Sequence, residues 1–235
     1  MTASPRIGVV GGTFDPIHLG HLDAAEAAAR HLALDEMVFI PSHDPPHRRT
    51  GPHASALHRF AMVALAVAGH SRYRVSDDEM LRGGRSYTAD SLRRLHAAGW
   101  RPAQIFFILG ADAFAEIATW HEFPGVLDAA HFVVVARPGT NVANGLARNQ
   151  ALVPRVREHE PPHASDDTTS IVLIEARTRD VSSTAIRARI GRGEPIDNLV
   201  PAAVANHIAA NGLYTTVNEL HGQDESSKSA SFEER

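Results

Sequence analysis

Residues 11–21 read Gly-Gly-Thr-Phe-Asp-Pro-Ile-His-Leu-Gly-His and follow directly on the short apolar run Ile7-Gly8-Val9-Val10. An apolar strand that breaks into a glycine turn and then opens a helix constrains the fold more than any other stretch of the chain. It also builds an anion site, because the first-turn N–H groups and the positive end of the helix dipole face one point. Gly11 and Gly12 form the turn, and Gly12 lets the backbone approach a phosphate with no side chain between. Thr13 offers a hydroxyl and an N–H, Pro16 stiffens the turn, and Gly20 permits tight packing of a base or ribose. His18 and His21 stand three apart, so they share a face once the helix has begun. Two imidazoles at a phosphate site point to chemistry at a nucleotide phosphate. The glycine spacing is neither Gly-x-Gly-x-x-Gly nor a Walker loop, which argues against a dinucleotide redox domain and a P-loop ATPase.

The rest of the chain repeats the strand–helix theme. Met37–Ile40, Tyr73–Val75, Gln104–Leu109, His131–Ala136 and Ile171–Ala176 read as strands. Helical spacing links Leu22, Ala25, Ala29 and Leu32. A second stripe joins Leu57, Phe60, Ala61, Ala64, Leu65 and Ala68, and a third helix is predicted over Thr88–Ala98 with Thr88 as its N-cap. Strand followed by helix, four times over, predicts an α/β fold: a Rossmann-like doubly wound parallel sheet with helices on both faces. The expectation is one domain over 1–214 with a short helical part at about 183–214. The Pro- and His-rich stretch 41–52 reads as a loop, 138–170 as a variable connection with one helix near Asn149–Val156, and 215–235 as a disordered polar tail.

Composition removes several function classes. The 235 residues include no cysteine, so disulfides, thiol catalysis and Cys-based zinc sites are excluded. A net charge of −4 argues against a general nucleic-acid coat or a membrane-surface protein. With neither a signal peptide nor an apolar run of about 20 residues, the cytoplasm is the expected compartment. Fifteen histidines invite a metal reading, yet no His-Glu-x-x-His occurs, and Asp77-Asp78-Glu79 reads as a solvated turn. No dedicated metal site is expected.

A second candidate site is Ser182-Ser183-Thr184-Ala185-Ile186-Arg187, again at a helix start. Hydroxyls there can cap the helix, and Arg187 can grip phosphate oxygens in a fork. Two anion cradles on two helix starts suit a triphosphate held along its length.

These two motifs together resemble the nucleotidyltransferase superfamily that shares His-x-Gly-His. Further stretches narrow the likeness: Pro41–Arg48, His58-Arg59, Ser86–Leu92, Gly110–Asp112, Trp120-His121, Phe132–Val135 with Arg137-Pro138-Gly139, Leu199–Pro201 and Gly212–Tyr214. In this order, over residues 6–214, they closely resemble the bacterial nicotinate mononucleotide adenylyltransferase family. The chain departs from that family's pattern at His43, where glycine is usual, and at Asp197-Asn198.

The resemblance implies adenylyl transfer from ATP to nicotinate mononucleotide, giving deamido-NAD and pyrophosphate, with Mg²⁺ held mainly through the ATP phosphates. It implies catalytic roles for His18, His21 and Arg187. ATP would be bound by Gly11, Gly12, Thr13, Phe14, His18, Gly20, His21, Gly110, Asp112, Ser182, Ser183, Thr184 and Arg187. The mononucleotide would meet Asp15, His47, Arg48, Tyr87, Thr88, Trp120 and Arg137, with Trp120 stacked on the pyridine and N–H groups at the Thr88 helix start receiving the carboxylate. Neither nucleic acid nor membrane is an expected partner; a homo-oligomer is open. The alternatives are pantetheine-phosphate adenylyltransferase, a related nucleotidyltransferase, and a nucleotide-binding regulator without turnover.

Overall fold

A computed structural model of the chain describes residues 4–46, 51–138, 146, 150–157 and 168–215. The strands are β1 (Ile7–Gly12), β2 (Glu36–Pro41), β3 (Tyr73–Val75), β4 (Ile105–Gly110), β5 (His131–Ala136), β6 (Val156–Arg157) and β7 (Ile171–Glu175). They form one sheet in the order β3-β2-β1-β4-β5-β7-β6 with every pairing parallel. The near-continuous apolar runs explain this: both faces of β1, β4 and β5 are buried, and only a parallel sheet covered on two sides hides such strands. The expected fold is therefore present. Its predicted last strand has a further short strand, β6, outside it at the sheet edge.

The helices are α1 (Leu19–His31), α2 (Ala56–Val67), α3 (Asp78–Arg82), α4 (Thr88–Ala97), α5 (Ala111–Ala115), α6 (Ser183–Gly191) and α7 (Ala202–Ala210). One apolar layer joins α1, α2, α6 and α7 to one sheet face through Ala25, Ala29, Met62, Val63, Ile186 and Val204. A second, on the other face, contains Leu92, Phe107, Phe114, Ile117 and Phe132. Strand order reverses direction between β1 and β4, so the crevice beyond their carboxyl ends is where a sheet of this kind takes a ligand.

Two local expectations are corrected. The buried side of α2 is Arg59, Met62, Val63, Ala66 and Val67, whereas Leu57 is 74% and Leu65 39% exposed. This helix is apolar nearly all round, so spacing alone could not choose its inner face. Thr88 is the first residue of α4, and Tyr87 is its N-cap without a side-chain bond. His47, Arg48, most of the 138–170 connection and the tail from 216 lie outside the described residues.

Candidate active site

Gly12 ends β1, and the next six residues turn the chain into α1. Phe14 sits at φ +50°, a left-handed conformation that costs a bulky residue of order 1–3 kcal/mol. Its burial offsets this: the ring is 2% exposed, meets His21 edge-on with centroids 5.1 Å apart, and tilts against Phe39 at 6.1 Å. The strained turn thus props the second imidazole from below. His18 is the N-cap of α1, and its backbone N–H donates to His21 Nδ1 at 3.1 Å. An Nδ1 that accepts a bond carries no proton, so the neutral ring keeps its proton on Nε2 as a donor. Burial lowers the His21 pKa well below its ordinary value, and the neighbouring His18 lowers it further. Burial pushes His18 down to about 4 against a weaker upward pull from Asp23. The rings stack 3.6 Å apart, which two imidazolium ions would not tolerate. Gly20 is a matter of space: a Cβ there would lie 3.2 Å from His18 Nδ1, the Arg179 carbonyl and Val181. What packs against Gly20 is the strand-to-α6 connection.

That connection brings the second motif to the first. Ser182 caps α6 by accepting from the Ala185 N–H at 3.2 Å. Ser183 Oγ donates to the Pro16 carbonyl at 2.9 Å, and Arg187 Nη1 donates to the Asp15 carbonyl at 2.6 Å. Arg187 Nη2 donates to Thr184 Oγ1 at 3.2 Å. The two helix starts expected to share a triphosphate are therefore neighbours. The side chains of Ser183 and Arg187, however, are turned onto the backbone of the first turn.

A cavity of about 800 Å³ opens at the carboxyl ends of β1 and β4. Its wall includes Gly11, Gly12, Thr13 and His21 on one side and Leu109 and Gly110 on another. Tyr87, Thr88, Ser91, Trp120 and His121 form a further wall, with Ser42, Pro45 and Pro46 from the segment that follows β2. Trp120 stands edge-on to Phe107 at 5.9 Å and Phe132 at 6.3 Å, which fixes its ring plane. Tyr87 lies 4.4 Å from His121, ring to ring. Of the predicted residues, Gly11, Gly12, Thr13, His21, Tyr87, Thr88, Gly110 and Trp120 line this one space, while Phe14, His18, Gly20 and Ser182–Arg187 stand behind the phosphate turn and three more lie off the wall. Asp15 is 1% exposed, and its carboxylate accepts from the N–H of His53 (2.8 Å) and Ala54 (3.0 Å) and from Tyr214 Oη (2.9 Å). Its carboxylate is turned into the protein, where it anchors the turn to residues 53, 54 and 214. Arg137 pairs with Asp180 at the surface, and Asp112 is exposed on α5; neither is on the cavity wall.

Sequence reasoning gave no site role to Arg59, Ser42 or Glu79. Arg59 is 1% exposed and donates to the carbonyls of Thr13 (2.8 Å), Ser42 (2.6 Å), His43 (2.8 Å) and Ala54 (3.2 Å). One buried guanidinium therefore ties the phosphate turn to the backbone at Ser42, His43 and Ala54. Ser42 is buried on the cavity wall, and its Oγ has no partner among the described residues. Glu79, expected in a solvated turn, is instead buried and on that wall. Its only advance signal was that Met80 follows it and a Ser-Tyr-Thr helix start lies close behind.

A parallel sheet whose glycine-ended first strand, Gly11-Gly12 lying in β1 rather than in the expected turn, leads at the switch point into a helix start with paired imidazoles defines a nucleotidyltransferase of the α/β class. The chain belongs to the cytidylyltransferase-like family, which matches residues 9–189. Within that family it groups with the nicotinate-nucleotide adenylyltransferases. A curated relative from Moorella thermoacetica, named a probable nicotinate-nucleotide adenylyltransferase, is 38% identical over 214 residues, covering 91% of this chain and 94% of that one. Another of the same name, from Salinispora arenicola, is 40% identical over 205 residues, covering 87% and 99%. A solved structure of Plasmodium falciparum nicotinic acid mononucleotide adenylyltransferase complexed with APC has the same fold, with a TM-score of 0.65 at 15% identity over 90% of this chain and 98% of that one.

Proposed function

We propose the following division of labour for the reaction of this enzyme, which transfers the adenylyl group of ATP to nicotinate mononucleotide in NAD biosynthesis. A phosphate oxygen of the mononucleotide attacks the α-phosphorus in line, the bond to the β-phosphate oxygen breaks, and pyrophosphate and deamido-NAD leave. The nucleophile is already anionic, so no general base is needed, and catalysis is positioning plus stabilisation of charge. The observation that carries this reading is the His18 N–H to His21 Nδ1 bond, which leaves His21 a neutral Nε2–H donor beside Gly11-Gly12-Thr13. That donor meets the α-phosphate as charge builds there. His18 aligns the triphosphate, Thr13 and Phe14 contribute backbone contacts, and Ser182, Ser183, Thr184 and Arg187 hold the turn and its outer phosphates. Gly110 faces the adenosine.

For the second substrate, Trp120 stacks on the pyridine and Tyr87 packs beside it. The first-turn N–H groups of α4, at Thr88, receive the carboxylate, which favours the acid over the amide. The donors around the phosphate turn are N–H groups, hydroxyls and imidazoles, a set that suits phosphate oxygens. Among the described residues no three His, Asp or Glu side chains could cage a cation. Mg²⁺ would accordingly enter with ATP, held by phosphate oxygens and water, and neutralise the leaving pyrophosphate. The cytoplasm, where ATP is abundant, is the compartment this chemistry suits.

The test is pyrophosphate release with ATP and Mg²⁺, offering nicotinate mononucleotide, nicotinamide mononucleotide or phosphopantetheine. The expected result is turnover with the first at a kcat/KM at least about tenfold above the second, since one charge-assisted contact is at stake. Equal use of acid and amide would overturn the role of the α4 N-terminus, and activity with phosphopantetheine alone would overturn the substrate.

A further inference from the structure

Glu79 is 8% exposed and stands on the wall of the large cavity. Its two carboxylate oxygens are treated unequally by the protein. Oε1 accepts from Ser91 Oγ at 2.5 Å and lies 3.8 Å from Arg94 Nη2. Oε2 is buried and finds no hydrogen-bond partner among the described residues. A buried carboxylate oxygen without a donor is costly, and the cost falls away if the cavity's occupant brings the donor. Glu79 shares that wall with Ser86, Tyr87, Thr88 and its partner Ser91, part of the cavity assigned above to the mononucleotide.

Nicotinate mononucleotide has few donors to give. Its carboxylate and pyridinium ring carry none, and its phosphate is an anion. The 2′ and 3′ hydroxyls of the ribose remain. We propose that Glu79 is the sugar-binding residue of the second-substrate site, with Oε2 accepting a hydroxyl of the mononucleotide ribose while Ser91 holds Oε1. The inference rests on the proposed substrate.

The experiment compares steady-state kinetics of the wild type, Glu79→Met and Glu79→Gln. Met keeps length and removes the acceptor; Gln keeps an acceptor and removes the charge. Each is assayed with ATP and with nicotinate mononucleotide or its 2′-deoxy and 3′-deoxy forms. For Glu79→Met, KM for the mononucleotide should rise about tenfold to a hundredfold, with KM for ATP unchanged within about twofold. Glu79→Gln should fall between. One deoxy form should be a poorer substrate than the parent by about tenfold for the wild type and by no more than about twofold for Glu79→Met. An unchanged mononucleotide KM in Glu79→Met, or a deoxy penalty that persists undiminished in it, overturns the proposal. A role only in seating α4 through Ser91 would be reproduced by Ser91→Ala. That variant should instead keep the deoxy penalty, and its loss there would also overturn the assignment. The wild-type deoxy comparison needs no variant to fold. A wild type that releases no pyrophosphate with nicotinate mononucleotide refutes the substrate, whereas normal turnover without a sugar penalty refutes only Glu79.

Discussion

The turn before α1 and the turn before α6 look alike as sequences: each places hydroxyls, amides and a cationic or imidazole side chain at a helix start. Their chemistry differs because their donors point to different places. In the first, His18 and His21 bond to each other, and Nε2 of His21 remains a donor beside the cavity. In the second, Ser183 and Arg187 give donors to the carbonyls of Pro16 and Asp15. In the proposed reaction the first turn meets the reacting phosphate, and the side chains of Ser183 and Arg187 brace that turn through its backbone. Similar local motifs can therefore be a reagent and a bracket within one site.

The contrast breaks most readily at His21. His21→Ala should lower kcat about a hundredfold to a thousandfold while KM for ATP moves less than about threefold, because the bond is strongest in the transition state. Single-turnover rates would check this, and a kcat near wild type would move the developing charge elsewhere. The next effect is on stability. His18 has an ordinary pKa of 6.5 and is held at about 4 in the fold. The unfolded chain therefore takes up the proton first, so stability from this group is complete above pH 6.5. It is lost as pH falls from 6.5 toward 4, by about 3 kcal/mol in all. Urea unfolding between pH 7 and 4.5 should show a shallower decline for His18→Gln than for the wild type. Parallel curves would mean that His18 is not buried neutral. Removing the bracket comes third: Arg187→Met should cost about 2 kcal/mol and lower kcat about tenfold, the two measured together by melting and turnover. A large kcat loss at unchanged stability would make Arg187 a reagent after all. Smallest is Ser183→Ala, at about 1 kcal/mol with kcat within about threefold.

Legibility from sequence followed the range of the interaction. The central strands could be read because β1, β4 and β5 bury both faces, and the phosphate turn because glycine, proline and histidine carry local geometry. Arg59 stood in a resembling stretch but was given no role, because its partners are carbonyls, which leave no mark on residue identity, and because 46 residues separate it from Thr13. Asp15 was assigned to substrate since the motif puts it at the site, yet three donors from residues 53, 54 and 214 enclose its carboxylate. Glu79 follows two aspartates, so its charge suggested solvent; its burial depends on where α4 brings Ser91. Leu57 and Leu65 misled for the opposite reason, being apolar side chains on the outer side of a helix whose inner side holds an arginine.

The bond from Tyr214 to Asp15 spans 199 residues of sequence. During synthesis, at about 5–20 residues per second, the carboxylate at the heart of the phosphate turn waits roughly 10–40 s for its last donor. The sheet can form from the first strands onward, but the turn's shell closes only when the final helical segment has left the ribosome. A nascent chain of this protein would thus be folded before it is competent, and a premature stop just ahead of Tyr214 would spare the strands while leaving the reaction site incompletely held.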